Sequence, residues 1–187
     1  MIKMNRGKRP QVLKENKDEW TSKYIETEKW RTNWHGKREE ILKELLENTN
    51  YHCAFCDEIL SPIGSGDAEI EHFRPKGKNK YPLFAFAWAN LYPICRHCNA
   101  TKQERFDKLL LRPDEKGFDF FDWFVLDTQT FELKPKKLGN PNWKRAEKTI
   151  DLYGLNKKTK KERRKIVYQR IIQKFYPNKE EQPFRYM

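Results

Sequence analysis

The sequence predicts an α+β fold in which a small stapled core sits between helices on both sides, and three observations carry that prediction. Two Cys-x-x-Cys pairs, Cys53/Cys56 and Cys95/Cys98, use all four cysteines of the chain. Between them Ala68, Ile70 and His72 alternate with Glu69 and Glu71, which is the period of a strand. On either side apolar residues recur at helical spacing, as Ile41/Leu45 and Leu42/Leu46 before the core and Val167, Ile171 and Phe175 after it. At 187 residues the chain is long enough for one sizeable core. We read residues 1–187 as a single domain: 1–50 a basic arm and helices, 51–112 the stapled core, and 113–187 an aromatic-rich segment followed by basic helices.

Charge narrows the partners. Lys and Arg outnumber Asp and Glu by 39 to 27, a formal +12, which points to a polyanion such as nucleic acid. Composition does not separate DNA from RNA; DNA is placed first. Aromatic residues make up 14% of the chain, too many for a disordered basic tail. No apolar run approaches the roughly 20 residues of a membrane span, so no membrane partner is expected. The first residues lack the apolar stretch of a secretory signal, and the expected location is cytoplasmic.

In chain order, residues 1–16 carry Arg6, Lys8, Arg9 and Lys14 around Pro10 and read as a flexible arm, either solvated or contacting phosphate. Trp20 and Tyr24 mark a helix over about 17–30, broken at Asn33-Trp34-His35-Gly36, where His35 is a weak ligand candidate. A second helix follows over about 37–47, its stripe set against the core and stopped by Asn48 to Asn50. Residues 51–60 read as a hairpin tip, 61–66 as a flexible loop, and 67–72 as a strand ended by Pro75. Phe84, Phe86 and Trp88 read as core. A helix is expected to begin at Asn99, placing that side chain where the helix dipole favours anions. Residues 118–133 read as strands or a short hairpin with surface aspartates. Two more helices are expected, one from Trp143 to about Gly154 and one over about 159–176. The run 157–165 holds seven cations and one anion, and reads equally as a solvated face or a phosphate-binding patch.

Two Cys-x-x-Cys turns brought together present four sulfurs in the tetrahedral geometry that Zn²⁺ prefers. In a reducing compartment metal explains such pairs better than disulfides. His52 and His97 flank cysteines and read as packing or hydrogen-bonding residues, since four thiolates already fill the site. The stretch between the pairs supplies hydrolytic chemistry. His72, with an ordinary pKa near 6.5, can take a proton from water. Glu71 beside it is a hard oxygen ligand for Mg²⁺ or Mn²⁺, and Asn99, next to Cys98, can bring a second oxygen to the same ion.

Cys-x-x-Cys, then Glu71-His72-Phe73-Arg74-Pro75, then Asn90, then Cys-x-x-Cys-Asn99-x-x-Lys102 together resemble the motif of the HNH (ββα-metal) endonucleases in its zinc-bearing form. The resemblance implies a ββα-metal core with flanking helices and a metal-dependent phosphodiesterase. It makes His72 the general base, Asn90 the holder of the loop carrying it, and Glu71 and Asn99 the ligands of the catalytic ion. Arg74, Lys76 and Lys102 then contact phosphate. The residue before the histidine is often Asp in that motif and is Glu here, so Glu69 on the same strand face is a substitute ligand. More narrowly, residues 49–56, 70–76 and 145–156 resemble the PtuB family, nucleases of the Septu and some retron anti-phage systems. That resemblance implies an ATPase partner of the PtuA type. Two other functions compete with a nuclease: a zinc-dependent nucleic-acid-binding module without catalysis, and a zinc-stapled protein adaptor. His72 beside Glu71 separates them, because binding alone needs neither.

Overall fold

Pro10 starts the first helix six residues earlier than the Trp20/Tyr24 spacing suggests, because its carbonyl accepts the amides of Leu13 and Lys14 (3.1 Å each). The computed structural model describes residues 1–29, 34, 36–60 and 68–187; His35 and the expected loop at 61–66 lie outside the described residues. Helix α1 (Gln11–Thr27) buries Val12, Leu13, Trp20 and Tyr24 and ends at Glu28 in the left-handed conformation, φ +59°. The stretch before it is not a flexible arm. Met1 and Met4 are buried, and the Met4 amide bonds to the Pro113 carbonyl at 2.9 Å. Arg6 lies over the rings of Tyr92 (4.5 Å) and Trp88 (5.3 Å) and donates to the carbonyls of Trp88 and Leu91 and to Asp114. Charge count suggested solvation; two methionines and a stacked guanidinium supply the burial instead.

Helix α2 (Arg38–Glu47) turns its two i, i+4 pairs inward, burying Ile41, Leu42, Leu45 and Leu46, and it packs on strand β2. The first cysteine pair sits in a tight hairpin closed by the Cys53 amide on the Glu58 carbonyl (2.8 Å) and the Leu60 amide on the Tyr51 carbonyl (2.7 Å). Strand β1 (Ala68–His72) pairs antiparallel with β2 (Leu91–Cys95), Glu69 opposite Ile94 and Glu71 opposite Tyr92. β2 runs directly into helix α3 (Arg96–Lys102). That helix begins three residues before Asn99, with Cys95 as its cap: the Cys95 sulfur accepts the Cys98 amide at 3.5 Å. Asn99 therefore stands past the first turn, not at a helix start. The connection from β1 to β2 contains short 3₁₀ turns at Pro82–Phe84 and Trp88–Asn90; Phe86 and Trp88 are buried, whereas Phe84 stays partly exposed.

The C-terminal third wraps around this unit. A short helix α4 (Phe120–Trp123) leads into a hairpin of β3 (Phe124–Leu126) and β4 (Leu133–Pro135). Helices α5 (Lys144–Leu152) and α6 (Lys158–Ile172) follow, joined through Gly154 at φ +59°. A Cβ at Gly154 would lie 2.8 Å from the Thr101 methyl, so the close approach of this turn to α3 requires glycine. Tyr153 stacks on Phe55 of the first cysteine hairpin, centroids 3.8 Å apart. The run 157–165 is neither wholly a solvated face nor wholly a phosphate patch. Lys160 and Arg164 are buried, and Arg164 donates to the Phe131 carbonyl, the Leu155 carbonyl and the Tyr186 hydroxyl. The architecture is mixed α and β, with two small sheets among the described residues. Among the described residues no helix is long and apolar enough to cross a membrane.

Candidate functional site

The β1–β2–α3 unit carries two adjoining sites, one on each side. On one side the four cysteine sulfurs lie within 4.8 Å of one another, all buried, so they are placed to hold a metal ion such as zinc. Cys53 and Cys56 come from the hairpin, Cys95 from the end of β2 and Cys98 from α3; the Cys56 and Cys95 sulfurs are 3.7 Å apart. Burial pushes the Cys53 thiol up, and hydrogen bonds with the other three cysteines, more than burial, push the Cys98 thiol up. At Cys56 the opposite holds: neighbouring thiol donors and Lys160 outweigh burial and pull it well below the ordinary range. A donor set of four buried sulfurs beside a cation fits a thiolate-bound metal. His52 takes no part, since its ring nitrogens face the carbonyls of Asn50 (2.5 Å) and Gln182 (3.2 Å).

Sequence reasoning missed the charges that surround this cluster. The Lys160 ammonium lies 3.2 Å from the Cys56 sulfur, 3.4 Å from that of Cys95 and 2.7 Å from the Glu58 carboxylate. Asp57, directly after Cys56 and at φ +64°, accepts from Arg185 through both oxygens, at 2.7 Å from Nη2 and 3.3 Å from Nε. A signal for Lys160 did exist. Lys160, Arg164, Val167 and Ile171 follow one another at spacings of four, three and four, so the buried stripe of α6 runs on through two cations.

On the other side lies a cleft of about 760 Å³, lined among others by Glu69, Glu71, His72, Lys76, Arg96 and Asn99. His72 ends β1 with its Nε2 2.9 Å from the Ala85 carbonyl. A carbonyl only accepts, so Nε2 carries the proton and Nδ1 is the nitrogen with a lone pair. The Ala85 carbonyl is set by the next residue: Phe86 is gripped edge-on by Trp20, Tyr24 and Trp34, at 5.6, 6.3 and 5.5 Å. Burial, then the Lys76 charge, drives the His72 pKa down to about 3 against the pull of the Ala85 carbonyl, so the ring is neutral at pH 7.

Asn90 holds the turn that follows. Its Oδ1 accepts the Arg74 amide at 2.8 Å, and its Nδ2 donates to the carbonyls of Arg74 and Phe84, both at 3.0 Å. Asn99 donates through Nδ2 to the Glu69 carboxylate at 2.5 Å, joining α3 to β1 at the cleft wall. Glu71 points inward and forms a buried ion pair with Lys102. Burial pushes the Glu71 carboxyl up to about 7, with Lys102 pulling the other way.

The cleft thus gathers Glu71, His72, Lys76 and Asn99, with Glu69 added. Two expected phosphate contacts fall elsewhere. Lys102 is fully buried and also donates to the His72 carbonyl (3.2 Å), so its charge supports β1 and is not offered to a ligand. Arg74 is exposed but lies over Phe84 (4.8 Å) and Tyr81 (5.8 Å), lining a separate hollow with Phe73 and Phe106. No protein-family model matches this chain, and no curated protein matches it.

Proposed function

We propose that this chain is a metal-dependent endonuclease of the HNH (ββα-metal) type that hydrolyses phosphodiester bonds of nucleic acid. One observation carries the reading: a neutral His72 and the oxygen ligands of β1 and α3 line a single cleft on a β–β–α unit whose other side is a four-cysteine cluster. In this reading Zn²⁺ bound by Cys53, Cys56, Cys95 and Cys98 is structural and fixes α3 against β2. Glu69 and Asn99 would hold the catalytic Mg²⁺ or Mn²⁺, with Glu71 held behind them by Lys102. When bound, that ion supplies charge stabilisation at the phosphoryl oxygen.

The chain's own residues do the rest. His72 Nδ1 takes the proton of the attacking water, while Nε2–H on Ala85 keeps the ring oriented. The water oxygen bonds to phosphorus as the bond from phosphorus to the leaving sugar oxygen breaks. Lys76 and Arg96, at the cleft wall, attract the backbone and fix its register. By the PtuB resemblance the nuclease would be the effector of an anti-phage complex with a PtuA-like ATPase.

The test is cleavage of supercoiled DNA, single-stranded DNA and RNA by zinc-replete protein with and without Mn²⁺, repeated with the ATPase if the chain alone is silent. His72→Ala should lower hydrolysis by about 10²-fold or more while nucleic-acid binding and zinc content persist. His72→Gln, which can still donate to Ala85, should be as inactive and better folded. Full activity in His72→Gln would overturn the mechanism. The Glu71–Lys102 ion pair favours a second reading, a zinc-dependent nucleic-acid-binding module, because it occupies an expected metal ligand. Tight binding without cleavage of any substrate under these conditions would decide for that module.

A further inference from the structure

The Glu58 carboxylate is shared between two cations, Lys160 at 2.7 Å and Arg163 at 3.2 Å. One carboxylate cannot neutralise both, and Lys160 is almost fully buried. A buried ammonium left half-compensated is costly. Its remaining contacts are the sulfurs of Cys56 and Cys95, which are weak acceptors as thiols and strong ones as thiolates. Four thiolates around one divalent ion carry a net charge of about −2, so the cluster in its metal-bound form is the anion this lysine lacks. The contact also spans the fold: Lys160 is 104 residues from Cys56 and lies in the first turn of α6.

We propose that Lys160 is a working part of the metal centre, retaining the ion through N–H···S hydrogen bonds to Cys56 and Cys95 and making the docking of α6 depend on that ion. The proposal rests on the cysteine cluster binding zinc and is independent of nuclease activity. The dependence runs both ways by linkage: if docked Lys160 favours the bound ion, the bound ion favours docked Lys160 to the same extent. Arg164, one turn further on, holds the Phe131 and Leu155 carbonyls, so release of Lys160 would loosen α6 on the β3–β4 hairpin as well. Ligands around metals are commonly oriented by such outer hydrogen bonds, whose loss costs 10- to 100-fold in affinity.

The experiment uses the full chain in its zinc form and reads two quantities. The first is the rate of zinc release to the chromogenic chelator 4-(2-pyridylazo)resorcinol for wild type, Lys160→Met and Glu58→Gln. Lys160→Met should release zinc about tenfold faster, whereas Glu58→Gln, which removes the competing negative charge and keeps the lysine on the sulfurs, should be no faster than wild type. The second is hydrogen exchange of residues 158–172 in the wild type before and after chelation; protection should fall there more than in α5. Equal release from Lys160→Met and wild type would overturn the proposal. Equal acceleration in both variants would do so too, since it marks general loosening. If Lys160→Met does not fold, unchanged protection of residues 158–172 on chelation of the wild type overturns it. Wild-type protein that binds no zinc would instead overturn the reading of the cysteine cluster on which the proposal stands.

Discussion

Two buried lysines serve the same β–β–α unit, and they are balanced differently. Lys102, under the cleft, meets a carboxylate that it does not share, Glu71, and a backbone carbonyl. Lys160, under the cysteine hairpin, shares its carboxylate with Arg163 and leans on two sulfurs. The first pair needs no metal to form; the second is complete only when the sulfurs are anionic. Metal should therefore matter greatly on one side and little on the other.

The largest effect expected from this contrast is that of the metal itself. Cys95→Ala, or chelation of the wild type, should remove several kcal/mol of stability, up to roughly 10, because binding energy at a four-thiolate site is folding energy. Calorimetry with and without chelator checks it: the wild type should melt far lower in chelator and Cys95→Ala should no longer respond. A wild-type melt that ignores chelation would erase the contrast. Next in size is Lys102→Met, which strands the Glu71 carboxylate and should cost about 3–5 kcal/mol, while adding Glu71→Gln should recover most of that loss. Denaturant midpoints of the two single variants and the double variant measure the coupling. If the costs simply add, the two side chains do not act as a pair and the comparison fails on the cleft side.

The smallest effect is placed away from both lysines, at Asp114, as a control for an ion cluster that depends on no metal. Burial pushes its carboxyl up, but hydrogen bonds from the Tyr92 hydroxyl, Arg6 and Arg112 outweigh burial and hold it below the usual carboxylate range. A depressed carboxylate stabilises the fold above its unfolded pKa near 4 and loses that contribution as pH falls through the lower folded value. Asp114→Asn should cost about 1–3 kcal/mol at pH 7 and flatten the loss of stability below pH 4. Urea melts at pH 7 and pH 3 with chelator present and absent would read it. The pH effect should be the same under both conditions.

Much of the core was legible in the residues because its signals are local. Ile41, Leu42, Leu45 and Leu46 fall on one helix face whatever surrounds them, and Cys53/Cys56 and Cys95/Cys98 each close a turn by spacing alone. The strand ending at His72 follows from alternation, and Glu71, His72 and Asn99 all line one cleft. Charged residues were less legible. Arg6, Lys102, Lys160 and Arg164 have the composition of a basic surface, yet Arg6 is half-buried and the other three are buried, because each finds carbonyls, carboxylates, rings or sulfurs supplied by chain segments 30 to more than 100 residues away.

The sequence by itself determined the elements that depend on neighbours along the chain: the two cysteine turns, the strand ending at His72 and the apolar stripe of α2. Only the tertiary structure decided which charges face solvent. Periodicity places a side chain on a face, but whether a cation on that face is buried depends on what arrives opposite it, and a charge moves from water to the interior only when its partners are already in place. For that reason Glu69 and not Glu71 is left open to the cleft beside Asn99, and Lys160 lies against the cysteine cluster and not on the basic surface.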